Sequence, residues 1–281
     1  MKVIYTISEL KSVLDAERQN GNSIGLVPTM GALHEGHASL VRRSVSENEV
    51  TVVSIFVNPT QFNDKNDLNN YPRSLHTDCE LLDKDGADYV FAPSVEEMYP
   101  DVDTRTFDFS PLDKVMEGAF RPGHFNGVAQ IVSKLFDIVN PDRAYFGDKD
   151  FQQLAVIRQM SRQLNMDIEI IGCPIVREED GLALSSRNAL LTQKEKKIAS
   201  NLSRTLFKSR IFAVENSLET IRRYVLNSIE SVDGLRIEYF EIVDGNTLQP
   251  VQDWKDSNFV VGCLAAYCGK IRLIDNIKYK E

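Results

Sequence analysis

Ten residues, Pro28 to His37, read PTMGALHEGH and bring two glycines and two histidines into a span short enough for one turn. An apolar stretch, Ile24 to Val27, precedes them. A helical pattern with Leu40, Val41 and Val45 on one face follows. The string therefore sits at a strand-to-helix turn, and open α/β sheets take their ligands at such turns, beyond the carboxyl ends of strands. Glycine lets the backbone come close to a ligand. The first turn of a helix offers N–H groups that suit phosphate. His34 and His37 are three apart, so on a helix they share a face and could point together at one anionic group. Three plainer readings stay open on this string alone. The histidines could cap the turn, they could bind a metal, or the glycines could only shape the chain. For a metal, H-E-G-H is one residue shorter than the zinc-protease pattern H-E-x-x-H, and no third ligand lies near.

Three further loops follow strand candidates. Val50 to Val57 is nearly continuous in apolar residues, as suits a parallel strand buried on both faces. It ends in Asn58-Pro59-Thr60-Gln61-Phe62. Arg143 to Phe146 leads into Gly147-Asp148-Lys149-Asp150 and a helix carrying Gln152 and Gln153. Ile168 to Ile171 runs into Val176-Arg177 and the loop Asp180 to Arg187. Together these loops offer Lys149, Arg187, Ser185, Ser186 and several amides. The mixture suits nucleoside triphosphate chemistry, because attack at phosphorus needs positive charge and donors where negative charge builds up. Lys149 and Arg187 supply charge, and Ser185 and Ser186 can hold phosphate oxygens. The chain lacks G-x-x-x-x-G-K-[ST], which excludes a P-loop, and lacks G-x-G-x-x-G, which argues against a nicotinamide cofactor. Each residue also has a plain reading. Lys149 could be a surface lysine, Gln152 and Gln153 the solvated side of a helix, Gln61 a bond within its own turn, and Ser185-Ser186-Arg187 a simple loop. Their recurrence at corresponding places in one fold weakens these readings jointly.

The elements that must position these loops follow from patterning. Val3 to Tyr5 reads as a short strand. Thr6 with Glu9 is a capping box for a helix whose apolar face is Leu10, Val13 and Leu14, with Gly21 at its stop. Asn63 to Asn70 is polar and reads as a surface loop. Leu75, Cys79 and Leu82 predict a helix ending at Gly86, and Tyr89 to Ala92 a strand. Residues 94–124 read as irregular, and a buried helix is expected from Val128 to Val139. This alternation predicts a Rossmann-like doubly wound parallel sheet over residues 1–175. After Asn188 the pattern changes. A second capping box, Thr192 with Glu195, opens a long helix to about Glu215. A further helix spans Leu218 to Ser231. Strand candidates follow at Arg236 to Val243, Phe259 to Ala266 and Ile271 to Ile274, so residues 176–281 are expected to form a smaller α+β domain. The chain has 281 residues, 42% hydrophobic, with a formal net charge of -9, which argues against nucleic acid as a partner. No apolar run approaches the roughly 20 residues of a membrane span. The N-terminus shows no signal-peptide core. The four cysteines, Cys79, Cys173, Cys263 and Cys268, lack C-x-x-C spacing and read as buried free thiols in a reducing cytoplasm.

Six strings now come together in order: PTMGALHEGH at 28–37, SIFVNPTQF at 54–62, YPR at 71–73, RPGHFNGV at 121–128, GDKDFQQL at 147–154 and REEDGLALSSRN at 177–188. On these the chain resembles the pantothenate synthetase (pantoate–β-alanine ligase) family of the HIGH-motif nucleotidyltransferase superfamily. The resemblance implies two steps. Pantoate's carboxylate attacks the α-phosphorus of ATP to give pantoyl adenylate and pyrophosphate. The amine of β-alanine then attacks the acyl carbon to give pantothenate and AMP. It also implies site residues. Met30, Gly31, Ala32, Leu33, His34, Glu35, Gly36 and His37 would meet ATP, with His37 the candidate proton donor. Gly147, Asp148, Lys149 and Asp150 would bind the nucleotide, Val176 the adenine through its backbone. Ser185, Ser186 and Arg187 resemble a mobile phosphate-gripping loop, and Leu184 would also meet ATP. Met30, Gln61 and Gln153 would hold pantoate, with Asn58 and Tyr71 in the same pocket and Gln61 also near β-alanine. Mg2+ would accompany ATP. A homodimer and a lid role for the second domain are implied as well. At position 148 this chain has Asp where the family often has a longer Glu or Gln.

Overall fold

The computed structural model describes residues 1–62 and 65–281, which fall into two compact units that are each discontinuous in sequence. The first comprises Met1–Phe109, Arg121–Asp148 and Gln153–Pro174; the second comprises Ser110–Phe120, Lys149–Gln152 and Ile175–Glu281.

The first unit opens with β1 (Lys2–Ile4), α1 (Ile7–Gln19), β2 (Ile24–Thr29) and α2 (Glu35–Glu47). It continues with β3 (Val50–Ile55), α3 (Lys65–Asn70), α4 (Leu75–Lys84), β4 (Tyr89–Phe91) and α5 (Val95–Met98). The chain enters the second unit for α6 (Met116–Phe120), then returns for α7 (His124–Val139) and β5 (Arg143–Gly147). Helix α8 (Phe151–Gln163) and β6 (Glu169–Cys173) follow. The six strands pair in the order β1-β4-β3-β2-β5-β6, all parallel. Leu26, Val27, Val52 and Val53 are fully buried in the two central strands. Burial on both faces is why those strands read as unbroken apolar runs. From β2 the sheet grows one way through β3 and β4 and the other way through β5 and β6. Such a reversal is where doubly wound sheets hold ligands. The strands whose carboxyl ends release the four loops, β3, β2, β5 and β6, are consecutive neighbours.

Several local expectations change. Within the polar stretch 63–70, Lys65–Asn70 is a short helix rather than a loop, while Asn63 and Asp64 lie outside the described residues. Apolar periodicity gives no signal for it. The Arg73 guanidinium donates to the carbonyls of Leu68 and Tyr71 and so caps its end. Residues 94–124 carry the helices α5 and α6, and α7 begins at His124, ahead of the expected Val128. On α2, Leu40 and Val41 are buried but Val45 is 38% exposed.

The second unit adds α9 (Gln193–Phe212), α10 (Leu218–Glu230) and an antiparallel sheet in the order β7 (Leu235–Asp244), β8 (Val260–Cys268), β9 (Ile271–Lys280). Leu202 and Leu206 of α9 and Ile221, Val225 and Ile229 of α10 pack in one core with Phe240, Ile242 and Leu264 of the sheet. The Thr192–Glu195 capping box starts α9 as its sequence predicts. Strand β9 outlasts its expected end at Ile274, because Asp275 and Asn276 break the apolar alternation yet are buried. Two polar side chains hold the segment Ser110–Phe120 in this unit. The Gln152 amide donates to the carbonyls of Leu112 and Val115 and accepts from the Glu117 N–H. The Glu117 carboxylate pairs with Arg272 and accepts from the Tyr239 hydroxyl. Gln152 is thus a buried tie, not a solvated helix residue.

Candidate active site

In the first unit, the PTMGALHEGH turn is closed partly on itself and partly by Asp78 of α4. Helix α2 begins at Glu35, so His34 is its N-cap and His37 its third residue. His34 Nδ1 accepts from the Gly36 N–H at 3.1 Å, and His37 Nδ1 accepts from the His34 N–H at 3.3 Å. The pair forms a reciprocal capping box built from imidazoles, with ring centroids 4.2 Å apart. The capping reading is therefore correct, and it does not compete with a chemical one. A neutral imidazole that accepts at Nδ1 carries its proton on Nε2. Both rings are thereby set as Nε2–H donors.

The N–H groups of the turn are mostly engaged already, either within it or by Asp78. Gly31 N–H donates to the Thr29 hydroxyl, and Ala32 and Leu33 N–H donate to the two oxygens of Asp78. His37 N–H donates to the His34 carbonyl at 2.8 Å. Gly31 and Ala32 both adopt left-handed backbone, with φ of 82° and 51°. Asp78, on α4, is buried, and burial pushes its carboxyl above the ordinary value while the two N–H donors pull it back.

The next loop in the same unit gathers three of the residues predicted for the carboxylic-acid substrate. The Gln61 amide donates to the Met30 thioether at 2.9 Å, and the Asn58 amide donates to Gln61 Oε1 at 3.2 Å. Asn58 is buried and also donates to the Gly127 carbonyl, while its oxygen accepts from the Tyr99 hydroxyl. His124, buried at the start of α7, places Nδ1 2.9 Å from the Gln61 carbonyl. Gly127 is needed here, since a Cβ on it would lie 2.4 Å from the Thr60 carbonyl oxygen. Tyr71 is buried edge-on against Phe62, and Gln153 is half-buried on α8. Gly147 and Asp148 close β5. The Asp148 carboxylate faces Gly172 of β6, where a Cβ would come within 2.4 Å of it.

In the second unit, Val176 to Leu184 folds back as a hairpin. Arg177 bridges Ala183, Leu184 N–H donates to the Val176 carbonyl, and Gly181 takes the turn at φ 95°. The Val176 carbonyl is thus occupied by the hairpin. Ser185 caps the following short turn, its hydroxyl accepting from the Arg187 N–H. Ser185, Ser186 and Arg187 are half-buried. Lys149 stands 3.8 Å from Asp150, and its carbonyl accepts from the Asn276 amide. The Arg177 guanidinium grips Asp275 with two bonds of 2.7 and 2.8 Å.

Sequence reasoning missed Asp78, His124, Asp275 and Asn276. Asp78, Asp275 and Asn276 lie far in sequence from the loops they hold; polarity inside an apolar strand pattern was a signal for Asp275 and Asn276, and Asp78 carried none. His124 stood inside a quoted motif without a role.

A six-stranded parallel sheet that grows both ways from β2, with a histidine-capped helix start beyond that strand's carboxyl end, defines a doubly wound α/β protein. Residues 2–278 match the family pantoate-beta-alanine ligase, and the chain belongs to it. It is 68% identical over 281 residues to a pantothenate synthetase of Bacteroides thetaiotaomicron, and 66% identical to one of Bacteroides fragilis, covering all of each chain. Among solved structures, pantothenate synthetase from Thermus thermophilus superposes with a TM-score of 0.94 at 44% identity over the whole of both chains. Pantoate-beta-alanine ligase from Francisella tularensis, complexed with beta-gamma ATP and beta-alanine, gives 0.84 at 37% identity, covering 99% of this chain and 98% of that one.

Proposed function

We propose that this ligase condenses pantoate with β-alanine through a pantoyl adenylate, and that His34 and His37 act in the first step as neutral Nε2–H donors to the ATP phosphates. The observation that carries the assignment is the pair of Nδ1 acceptor bonds, which fixes both tautomers. As pantoate's carboxylate attacks the α-phosphorus, charge builds on the phosphate oxygens, and donors already in place stabilise it without reorganising. His37 is the candidate proton donor of the pair by family resemblance, a role that it takes only when its ring is protonated; as a neutral ring it is a hydrogen-bond donor. Met30, Gln61 and Asn58, already joined by hydrogen bonds, hold pantoate together with Gln153 and Tyr71. Gln61 also serves β-alanine. Lys149, Arg187, Ser185 and Ser186 act on phosphate, Gly147, Asp148 and Asp150 on the rest of the nucleotide and Val176 on the adenine, with Leu184 also meeting ATP. In the second step the β-alanine amine attacks the acyl carbon and AMP leaves. The mixed anhydride must be shielded from water, which gives residues 176–281 their proposed lid role.

Mg2+ enters as the companion of ATP, held by phosphate oxygens and water. Among the described residues no group of three or more His, Cys, Asp or Glu side chains is placed to hold a metal ion. This reading names no protein ligand for Mg2+, and no step is routed through it. No helix among the described residues is long and apolar enough to cross a membrane. A cytoplasmic setting, supported by four free cysteines, and a homodimer complete the proposal. The molar mass in solution tests the dimer.

Exchange of labelled pyrophosphate into ATP tests the mechanism. It should require pantoate and proceed without β-alanine. Exchange indifferent to pantoate, or ADP as product, would overturn it.

A further inference from the structure

We infer that Asp78 is a positioning residue for adenylation. It is a resident anion that fills the backbone N–H concavity of the glycine turn and so fixes the tautomers and direction of the His34 and His37 rings. The inference rests on the proposed role of those rings.

The geometry is specific. Asp78 Oδ2 accepts from Ala32 N–H at 3.0 Å and Oδ1 from Leu33 N–H at 2.8 Å. Consecutive N–H groups that converge in this way form an anion-binding nest. The nest depends on left-handed backbone at Gly31 and Ala32. An L-residue such as Ala32 adopts that conformation only when its surroundings hold it there. Asp78 is 2% exposed and makes no ion pair with any described residue, so a cation is not its partner. Its two bonds go to the turn that delivers His34, the residue immediately after Leu33.

Two consequences follow. The N–H groups of Ala32 and Leu33 are spent on a carboxylate and are not phosphate donors. The donors that the turn presents to a nucleotide are the imidazoles. In addition, the path from Asp78 to the chemistry is short. Releasing the nest lets Gly31 and Ala32 leave the left-handed region, which moves the His34 N–H away from His37 Nδ1 and frees both rings to change tautomer.

Asp78→Asn keeps the side chain's size but turns an N–H donor toward one of the two backbone N–H groups. In pantoate-dependent pyrophosphate exchange its kcat should fall by about tenfold to a hundredfold, with KM for ATP changed less than about threefold. A role in overall folding alone would not produce that split. The 15N signals of the imidazoles give a second readout that needs no turnover. In the wild type His34 and His37 should show unprotonated Nδ1 and protonated Nε2, and in the variant that pattern should be lost. Should Asp78→Asn fail to fold, Gly31→Ala presses on the same nest from the other side, because its Cβ would sit 3.1 Å from Asp78 Oδ2. It should give the same fall in kcat. A folded variant with kcat within about twofold of wild type, a loss carried wholly by KM for ATP, or unchanged ring signals would each overturn the inference. Wild-type exchange that ignores pantoate would instead overturn the adenylation mechanism, and the ring signals would still decide the role of Asp78.

Discussion

The turn at 28–37 and the hairpin at 176–187 are both held by a buried carboxylate from a distant segment, but the carboxylates hold different things. Asp78 takes two backbone N–H groups of its loop. Asp275 takes the guanidinium of Arg177, which also donates to the Gly181 carbonyl across the hairpin. In the first unit the anchor consumes the donors that a phosphate loop would ordinarily offer, so the chemistry passes to side chains. In the second unit the anchor consumes a side chain at the base of the loop, and Ser185, Ser186 and Arg187 lie beyond it. Anchoring of a motif from outside is common to both. Which donors it leaves for the substrate is not.

The largest effect expected from this contrast is on stability. Asp275→Asn strands the Arg177 guanidinium, and breaking a buried pair by removing one partner costs about 3–5 kcal/mol. The Arg177→Met, Asp275→Leu double variant should recover most of that in urea unfolding, because an apolar pair of similar volume removes the stranded charge. A double variant no more stable than Asp275→Asn would show that the segment needs the ion pair itself. Asp78→Asn strands no cation, so its cost should stay nearer the ~1–3 kcal/mol of a lost buried acceptor. Equal costs for the two substitutions would break the comparison.

A smaller free-energy change, but a large one in rate, is expected at His37. If the imidazoles replace the backbone as phosphate donors, His37→Ala should lower the adenylation rate about a hundredfold, near 2.7 kcal/mol of transition-state stabilisation. Rapid-quench measurement of pantoyl adenylate checks this. An unchanged rate in a folded variant would return the donor role to the backbone of the turn.

Much of this was legible in the sequence, for identifiable reasons. The parallel sheet was visible because strands buried on both faces read as apolar runs, as at Val50–Ile55. The family was visible because its six motifs occur in order, four of them at the ends of β2, β3, β5 and β6. Met30, Asn58 and Gln61 were named together from resemblance, and the structure joins them by hydrogen bonds. The anchors were not legible. Asp78 is one acid in a charged helix, and nothing in its neighbours says that it reaches back 45 residues to Leu33. The inclusion of Ser110–Phe120 in the second unit was hidden for the same reason. It depends on Gln152 and Glu117 finding partners across the fold, a pairing that local periodicity does not encode.

The smallest effect concerns acid. Burial pushes the Asp78 and Asp275 carboxyls above their ordinary value, although one is met by N–H groups and the other by Arg177. Asp103 is opposite in sign, because the hydrogen-bonded guanidinium of Arg105 holds its carboxyl below that value. A carboxyl with a raised pKa binds its proton more tightly folded than unfolded. As pH falls through the window above the ordinary carboxylate value, it adds stability relative to an Asn variant. A carboxyl with a lowered pKa contributes stability that is present above the ordinary value and lost as pH falls through its folded value. The stability deficits of Asp78→Asn and Asp275→Asn should therefore widen as pH is lowered, and the deficit of Asp103→Asn should shrink. Thermal unfolding of the three variants against wild type, stepped from neutral pH into the acid limb, reads all three slopes. If Asp275 followed Asp103 and not Asp78, the ion pair would outweigh burial, and the two anchors would differ electrostatically as well as in what they hold.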